Sequence, residues 1–284
     1  MRQLKKAYLE ITNVCNLSCD FCPGTRRAQG FLSPENFRTL AGRIRPHTRY
    51  LYLHLMGEPT AHPQLEELLA IGEELNFRVM ITTNGTLLPE RGRLLLDSPA
   101  VEKISISVHS FEGNEGGGRL EDYLDECIAF AKQAAARDKR CAVRLWNLDG
   151  EDTVGSNRCN GKILSILERS FPKPWKEGRR GITLAPNLFL EWGEKFQWPD
   201  LAAPEEQGRR FCYGLRDQVG VLWDGTVVPC CLDHEGDIAL GNLYEQELED
   251  ILNSPRATAI YEGFSQGRAS EELCRRCAYI RRFQ

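Results

Sequence analysis

Over its first 185 residues the chain alternates short apolar runs with longer amphipathic ones, and that rhythm limits what it can fold into. Strand-like segments fall at residues 7–11, 50–55, 79–83, 104–108, 142–146 and 182–184. Between them the spacing predicts helices over 34–44, 63–75 and about 120–136. Ser33 and Pro34 open the first, as a capping hydroxyl and a residue suited to the first helical position. Leu65, Leu68, Leu69 and Leu75 recur at helical spacing in the second. Such alternation predicts an α/β protein with a parallel sheet and helices outside, and six strands suit an open or partial barrel. Chemistry in these folds gathers at the C-terminal ends of the strands.

Past residue 185 the rhythm breaks into a stretch punctuated by Trp192, Trp198, Pro199 and Pro204. Two apolar runs then flank Asp224-Gly225, a strong hairpin signal. Two helical segments follow, the second capped by Ser254 with Pro255 at its start, and the tail reaches Cys274-x2-Cys277. The expectation is two domains: an α/β barrel over 1–200 and a small cysteine-bearing hairpin-plus-helix domain over 201–284.

The net charge is −4 with both signs interspersed, which argues against a standing footprint for duplex nucleic acid. No apolar run of membrane-spanning length occurs, and the basic start at Met1 to Lys6 lacks the apolar stretch of a signal peptide. A cytoplasmic location is therefore expected. Eleven cysteines are many for such a chain, and eight of them cluster: Cys15, Cys19 and Cys22, then Cys212, Cys230, Cys231, Cys274 and Cys277. Clustered cysteines in a reducing compartment point to metal or redox chemistry. Cys127, Cys141 and Cys159 stand apart and read as small buried or indifferent residues.

Cys15-x3-Cys19-x2-Cys22 directly follows the first strand. Three thiolates so close can wrap one cubane iron–sulfur cluster and leave its fourth iron without a protein ligand. An open metal position is a catalytic feature, since structural sites are usually closed. On spacing alone, a zinc ion completed by a distant histidine is the other reading.

Cys15-Asn-Leu-Ser-Cys19-Asp-Phe21-Cys22, with an aromatic before the last cysteine, resembles the signature of the radical S-adenosylmethionine (SAM) superfamily. Met56-Gly57-Glu58-Pro59 ends the second strand where that family has a Gly-Gly-Glu motif, with Met56 in place of the first glycine. Thr82-Thr83-Asn84-Gly85 ends the third and Ser105-Ile-Ser107-Val-His109 the fourth. The resemblance, over roughly 7–150, implies a 4Fe–4S cluster on three cysteines and SAM bound at its open iron. One-electron cleavage then gives a 5′-deoxyadenosyl radical, with an electron donor of the flavodoxin or ferredoxin type. It further implies that Glu58 accepts a charge-assisted hydrogen bond from the SAM ammonium and that Gly57 allows close backbone approach. Phe21 is then placed beside the adenine, and Asn84, Ser107 and Arg144 beside the ribose or the SAM carboxylate.

Cys212, Cys230, Cys274 and Cys277 resemble the auxiliary-cluster region called SPASM, or its shortened form twitch. With five cysteines where a full SPASM region carries more, the expectation is one auxiliary 4Fe–4S cluster on four of them, Cys231 being spare. Zinc is the alternative, because four thiolates with one Cys-x2-Cys also suit that ion. His54 and His109 lie on or just after strands, and Trp146 and Asn147 end the fifth, as candidates to face a substrate.

The fourteen residues before Cys15 leave no room for a leader-peptide-binding domain, so a small-molecule or nucleoside substrate is expected. His109-Ser-Phe111 with Glu112-Gly-Asn114, Arg144-Leu-Trp146-Asn147, and Val228-Pro-Cys-Cys-Leu-Asp233 resemble a compact group associated with queuine salvage. That resemblance implies a queuosine 5′-phosphate lyase. A SPASM-type peptide maturase and a non-catalytic iron–sulfur electron carrier are the alternatives.

Overall fold

A computed structural model describes residues 2–114, 118–148, 157–178 and 181–283. The chain runs β1 (Lys6–Leu9), α1 (Pro34–Ile44), β2 (Tyr50–Tyr52), α2 (Leu65–Glu74), β3 (Arg78–Thr83), α3 (Leu88–Asp97), β4 (Val101–Ser107), α4 (Leu120–Ala136), β5 (Arg140–Leu148) and α5 (Asn160–Ser170). Strands β6 (Lys176–Gly178), β7 (Gly181–Ala185), β8 (Leu188–Glu194), β9 (Gln218–Val221), β10 (Thr226–Val228) and β11 (Gly241–Asn242) follow. Short helices α6 (Leu248–Leu252), α7 (Pro255–Ser265) and α8 (Glu272–Arg275) complete it.

One sheet holds every strand, in the order β11-β10-β9-β1-β2-β3-β4-β5-β8-β7-β6. Strands β1, β2, β3, β4, β5 and β8 pair in parallel, the six staves of a partial (β/α)6 barrel. The sixth stave is Leu188–Glu194, not the predicted 182–184 segment, which is the antiparallel β7 beside it. Leu188 and Leu190 sit in the core while Glu191 faces away, so β8 reads as strand once its pairing is known. Helices α3 and α5 lie in stretches left unassigned by periodicity; charged residues and an interior glycine dilute the apolar stripe of each.

The caps behave as their chemistry demands. Ser33 accepts from the Asn36 amide ahead of Pro34, and Ser254 accepts from the Ala257 amide ahead of Pro255. Alternating strand residues divide the two faces. Ala7, Leu9, Leu51, Leu53, Val79, Ile81, Ile104, Ile106, Val143 and Leu145 pack under the helices. Cys127 and Cys141 are buried in that layer, away from both cysteine sets. Lys6, Tyr8, Thr82, Ser105 and Arg144 alternate with those core residues and line the inner face.

The C-terminal hairpin continues the barrel's own sheet. β9 pairs in parallel with β1, from Lys6 opposite Gln218 to Leu9 opposite Val221, and β10 folds back on β9. This ladder places the two cysteine sets at opposite ends of the strands. Cys15, Cys19 and Cys22 follow the C-terminal end of β1, whereas Cys212 precedes β9 and Cys230 follows the returning β10. Leu9 is fully buried at this junction. Leu9→Ala is expected to cost about 2–5 kcal/mol in chemical denaturation, the range for a large apolar group truncated in a core.

Candidate active site and cluster-binding regions

The segment from Cys15 to Cys22 has no helix or strand of its own. Each neighbouring strand-end loop holds it. From the loop after β2, the Glu58 amide donates to the Val14 carbonyl at 2.9 Å. From the loop after β3, Asn84 Nδ2 donates to Asn16 Oδ1 at 2.9 Å, and Asn16 Nδ2 donates to Thr86 Oγ1 at 2.8 Å. From the loop after β4, Asn114 Oδ1 accepts from the Ser18 amide, and its Nδ2 lies 3.2 Å from Cys19 Sγ. Asn16 and Asn114 stand inside the sequence motifs but were given no role, because a polar residue carries no local signal of what it will clasp.

Gly57 shows how tight this assembly is. Its φ is +74°, and a Cβ there would lie 2.5 Å from the Thr12 carbonyl oxygen and 2.9 Å from Asn13 Cα. The glycine thus permits close approach to the chain's own cysteine loop. Glu58, only 2% exposed, accepts from the Thr60 amide at 3.0 Å, the Thr60 hydroxyl at 2.6 Å and the Asn84 amide at 2.7 Å. Burial pushes its carboxyl pKa up, and these hydrogen bonds oppose the rise. Asn84 is itself clasped, accepting from Thr86 through Oδ1 and from the Tyr123 hydroxyl through its carbonyl.

Phe21 packs against His109, ring centres 5.1 Å apart. His109 is buried, with Nδ1 3.1 Å from the Arg144 carbonyl oxygen, and burial lowers its pKa to about 4. The half-buried Ser107 turns its carbonyl to the Ser110 hydroxyl at 2.6 Å.

A hydrogen-bonded chain crosses the inner face. His54 Nε2 lies 3.3 Å from Thr82 Oγ1, which accepts from Arg144 Nη1 at 3.3 Å. Arg144 Nε donates to Glu191 Oε2 at 3.2 Å, and Lys103 reaches the other Glu191 oxygen. Burial, aided by the Arg144 and Lys6 charges, lowers the pKa of His54 to about 3, so its ring is neutral. The Arg144 guanidinium stacks 4.7 Å over Trp146. Trp146 and Asn147, expected to act together, part company: Asn147 donates to Asn160 at the start of α5. Glu191 was missed because the strand that carries it was itself missed, and Lys103 because it lies just ahead of the predicted 104–108 segment.

At the opposite end, Cys212, Cys230, Cys274 and Cys277 face one another. Burial drives all four thiol pKa values up, Cys277 to about 12, and Cys230 also feels Cys231, then Cys212, Cys274 and Cys277. The N-terminal thiols behave alike: burial raises Cys19 to about 11, with Cys22 and Cys15 adding to the rise. Buried thiols raised in this way lose their protons readily only to a bound cation, and all these cysteines are free of disulfides. Among the described residues no three His, Cys, Asp or Glu side chains draw close enough to grip a single metal ion. Thiolates are the ligands that iron–sulfur clusters and zinc share, so the chemistry of the two donor sets fits either group. Cys231 contacts Tyr8 while also acting electrostatically on Cys230 and Cys212.

A partial parallel barrel with cysteine sets at its two ends defines a class of protein built around iron–sulfur chemistry. The family model of the radical SAM superfamily matches residues 9–152, and that of the SPASM iron–sulfur cluster-binding domain matches 212–278. The chain belongs to the radical SAM superfamily, and as such it is an enzyme whose family implies SAM and iron–sulfur clusters as cofactors.

Among its relatives is the S-adenosyl-L-methionine-dependent 2-deoxy-scyllo-inosamine dehydrogenase of Niallia circulans, 24% identical over 95% of this chain and 90% of that protein. The PqqA peptide cyclase of Gluconobacter oxydans is 23% identical over 94% of this chain and 81% of that one. Among solved structures, BtrN in complex with AdoMet and 2-DOIA matches with a TM-score of 0.64 and 20% identity, covering 98% of this chain and 94% of that chain. Streptococcus suis SuiB bound to precursor peptide SuiA matches with a TM-score of 0.64 and 16% identity, covering 99% and 71%. Among the described residues no helix is long and apolar enough to cross a membrane.

Gly57→Ala is expected to cost more than about 2 kcal/mol through strain at positive φ and backbone collision, and to strip iron selectively from the first site. Iron content per chain and limited proteolysis within the cysteine loop would reveal this. His109 provides a pH test. Its folded pKa, about 4, lies below its unfolded value, so the unfolded chain binds more protons as pH falls from 7 to 5. Stability should then drop, by about 2 kcal/mol from this residue. Denaturation at both pH values should show that increment missing in His109→Gln.

Proposed function

We propose that this enzyme cleaves SAM reductively at a cluster on Cys15, Cys19 and Cys22 and takes a hydrogen atom from a small polar substrate inside the barrel. The convergence of the strand-end loops on the cysteine loop carries this reading. When bound, cluster and SAM supply a 5′-deoxyadenosyl radical. The chain's own groups hold the reactants. Glu58, fixed by Thr60 and Asn84, presents remaining lone-pair capacity to the SAM ammonium. Phe21 backs the adenine, and Asn84 and Ser107 lie near the ribose.

Cys212, Cys230, Cys274 and Cys277 hold one auxiliary cluster at the far end of the lumen. The inner face of β1, from Lys6 to Glu10, spans roughly 13 Å between the two ends. A substrate held between them sits within reach of a radical source at one end and an electron acceptor at the other. An electron donor of the flavodoxin or ferredoxin type would reduce the first cluster.

A small substrate is supported by the near-complete overlap with an aminocyclitol dehydrogenase of similar length. Queuosine 5′-phosphate is the nucleoside to test first; its support is the sequence resemblance around His109, Arg144 and Cys230. Peptide modification is a second reading, favoured by the overlap with PqqA peptide cyclase and SuiB.

The deciding assay follows 5′-deoxyadenosine from SAM after anaerobic reconstitution with iron, sulfide and reductant, with and without queuosine 5′-phosphate. Formation is expected in the wild type and should fall at least about a hundredfold in Cys22→Ala, which removes a cluster ligand. Release of queuine would establish the lyase. SAM cleavage without queuine would retain the radical chemistry and remove that substrate, and no cleavage in an iron-replete protein would remove both.

A further inference from the structure

We propose that Lys103 and Arg144, gathered around Glu191 on the inner wall of the barrel, bind an anionic group of the substrate, a carboxylate or a phosphate. Calling the ligand a substrate rests on the radical SAM reading above; the anion site itself rests on charge and geometry.

Lys103, Arg144 and Glu191 come from three adjacent strands, β4, β5 and β8. Their strand neighbours Ile104, Val143 and Leu190 fill the core under the helices, so these three point inward. Both cations converge on one carboxylate, Lys103 on Oε1 and Arg144 Nε on Oε2 at 3.2 Å. The three side chains are 14–22% exposed. Two cations on one anion leave a surplus positive charge in a mostly desolvated place, which is costly unless a further anion pairs with it.

Among the described residues the surroundings do not supply that anion. Burial lowers the pKa of Lys103, and the nearby Arg144 and Arg140 charges add to the effect, with Glu191 opposing it. His54 and His109, which also feel Arg144, are held neutral by burial and carry no compensating negative charge. The guanidinium is oriented in advance, with Nη1 on Thr82 Oγ1, Nε on Glu191 and its face on Trp146. Its Nη2 has no hydrogen-bond partner among the described residues, leaving one edge of the fork for an oxygen anion.

The carboxylate of SAM is the other anion that could reach Arg144. Lys103 separates the two sources: it rises from four residues before Ser107 on β4, whereas Arg144 stands level with Ser107, and the two meet only at Glu191. An anion recognised by both cations is therefore held beside Glu191, and one that needs Arg144 alone does not depend on Lys103.

The test uses the full chain with its clusters reconstituted and SAM bound, titrated anaerobically in a calorimeter with ribose 5-phosphate, inorganic phosphate and, as neutral control, ribose. Ribose 5-phosphate is expected to bind at least about tenfold tighter than ribose, an advantage lost in Lys103→Met and Arg144→Gln and largely kept in the charge-preserving Lys103→Arg. Equal binding of ribose and its phosphate, or a phosphate preference that survives both neutral substitutions, would overturn the proposal. So would an Arg144→Gln protein that loses SAM affinity but keeps phosphate affinity, since it would assign the arginine to SAM. Formation of 5′-deoxyadenosine by the wild type in the same preparation reports separately on the radical reading, so the two can fail independently.

Discussion

Glu10 holds a carboxylate at zero exposure, and much of the architecture around the first cysteine loop exists to accommodate it. Arg27 grips both of its oxygens at 2.8 Å, the Met56 amide donates to one and the Trp223 amide to the other. Arg27 also donates from Nε to the His234 carbonyl at 2.7 Å. One buried ion pair thus ties together β1, the segment after Cys22, the loop that carries Glu58, and the C-terminal hairpin. Removing either partner strands the other charge out of water, a loss of about 3–5 kcal/mol in comparable pairs. It also unlocks four chain segments at once.

Much of the fold was legible because it is written in local signals. Pro34 and Pro255 behind capping serines, the leucine period of α2, Asp224-Gly225 between apolar runs, and the first five parallel strands all announce themselves within a few residues. The sixth stave was not legible in that way. Leu188–Glu194 carries Glu191, Trp192 and Glu194 among its apolar residues while β7 before it is the plainer apolar run, and only pairing with β5 marks the later segment as the stave. Helix α5 was hidden behind its polar face.

The site divides along the same line. Cysteines, Gly57 and Glu58 stand at fixed spacing and could be found, whereas Asn16, Asn114, Glu10–Arg27 and Glu191 act through partners 17 to 95 residues away. Trp146 and Asn147 show the cost of adjacency as a guide. They are neighbours in sequence, yet one lies with Arg144 while the other serves the start of a helix.

β1 is four residues long and belongs to both halves of the molecule. Its ladder with β9 joins positions 212 residues apart, from Lys6 opposite Gln218 onward. Pairs of such separation form late, after the loop-closure entropy between them has been overcome. A shift of one residue in that ladder would turn Lys6, Tyr8 and Glu10 toward the helices and leave both cysteine sets misaligned. The two cysteine sets are therefore linked through a single strand: a ligand bound at one end would favour the register that the other end needs, and by mass action would act as a folding ligand for both.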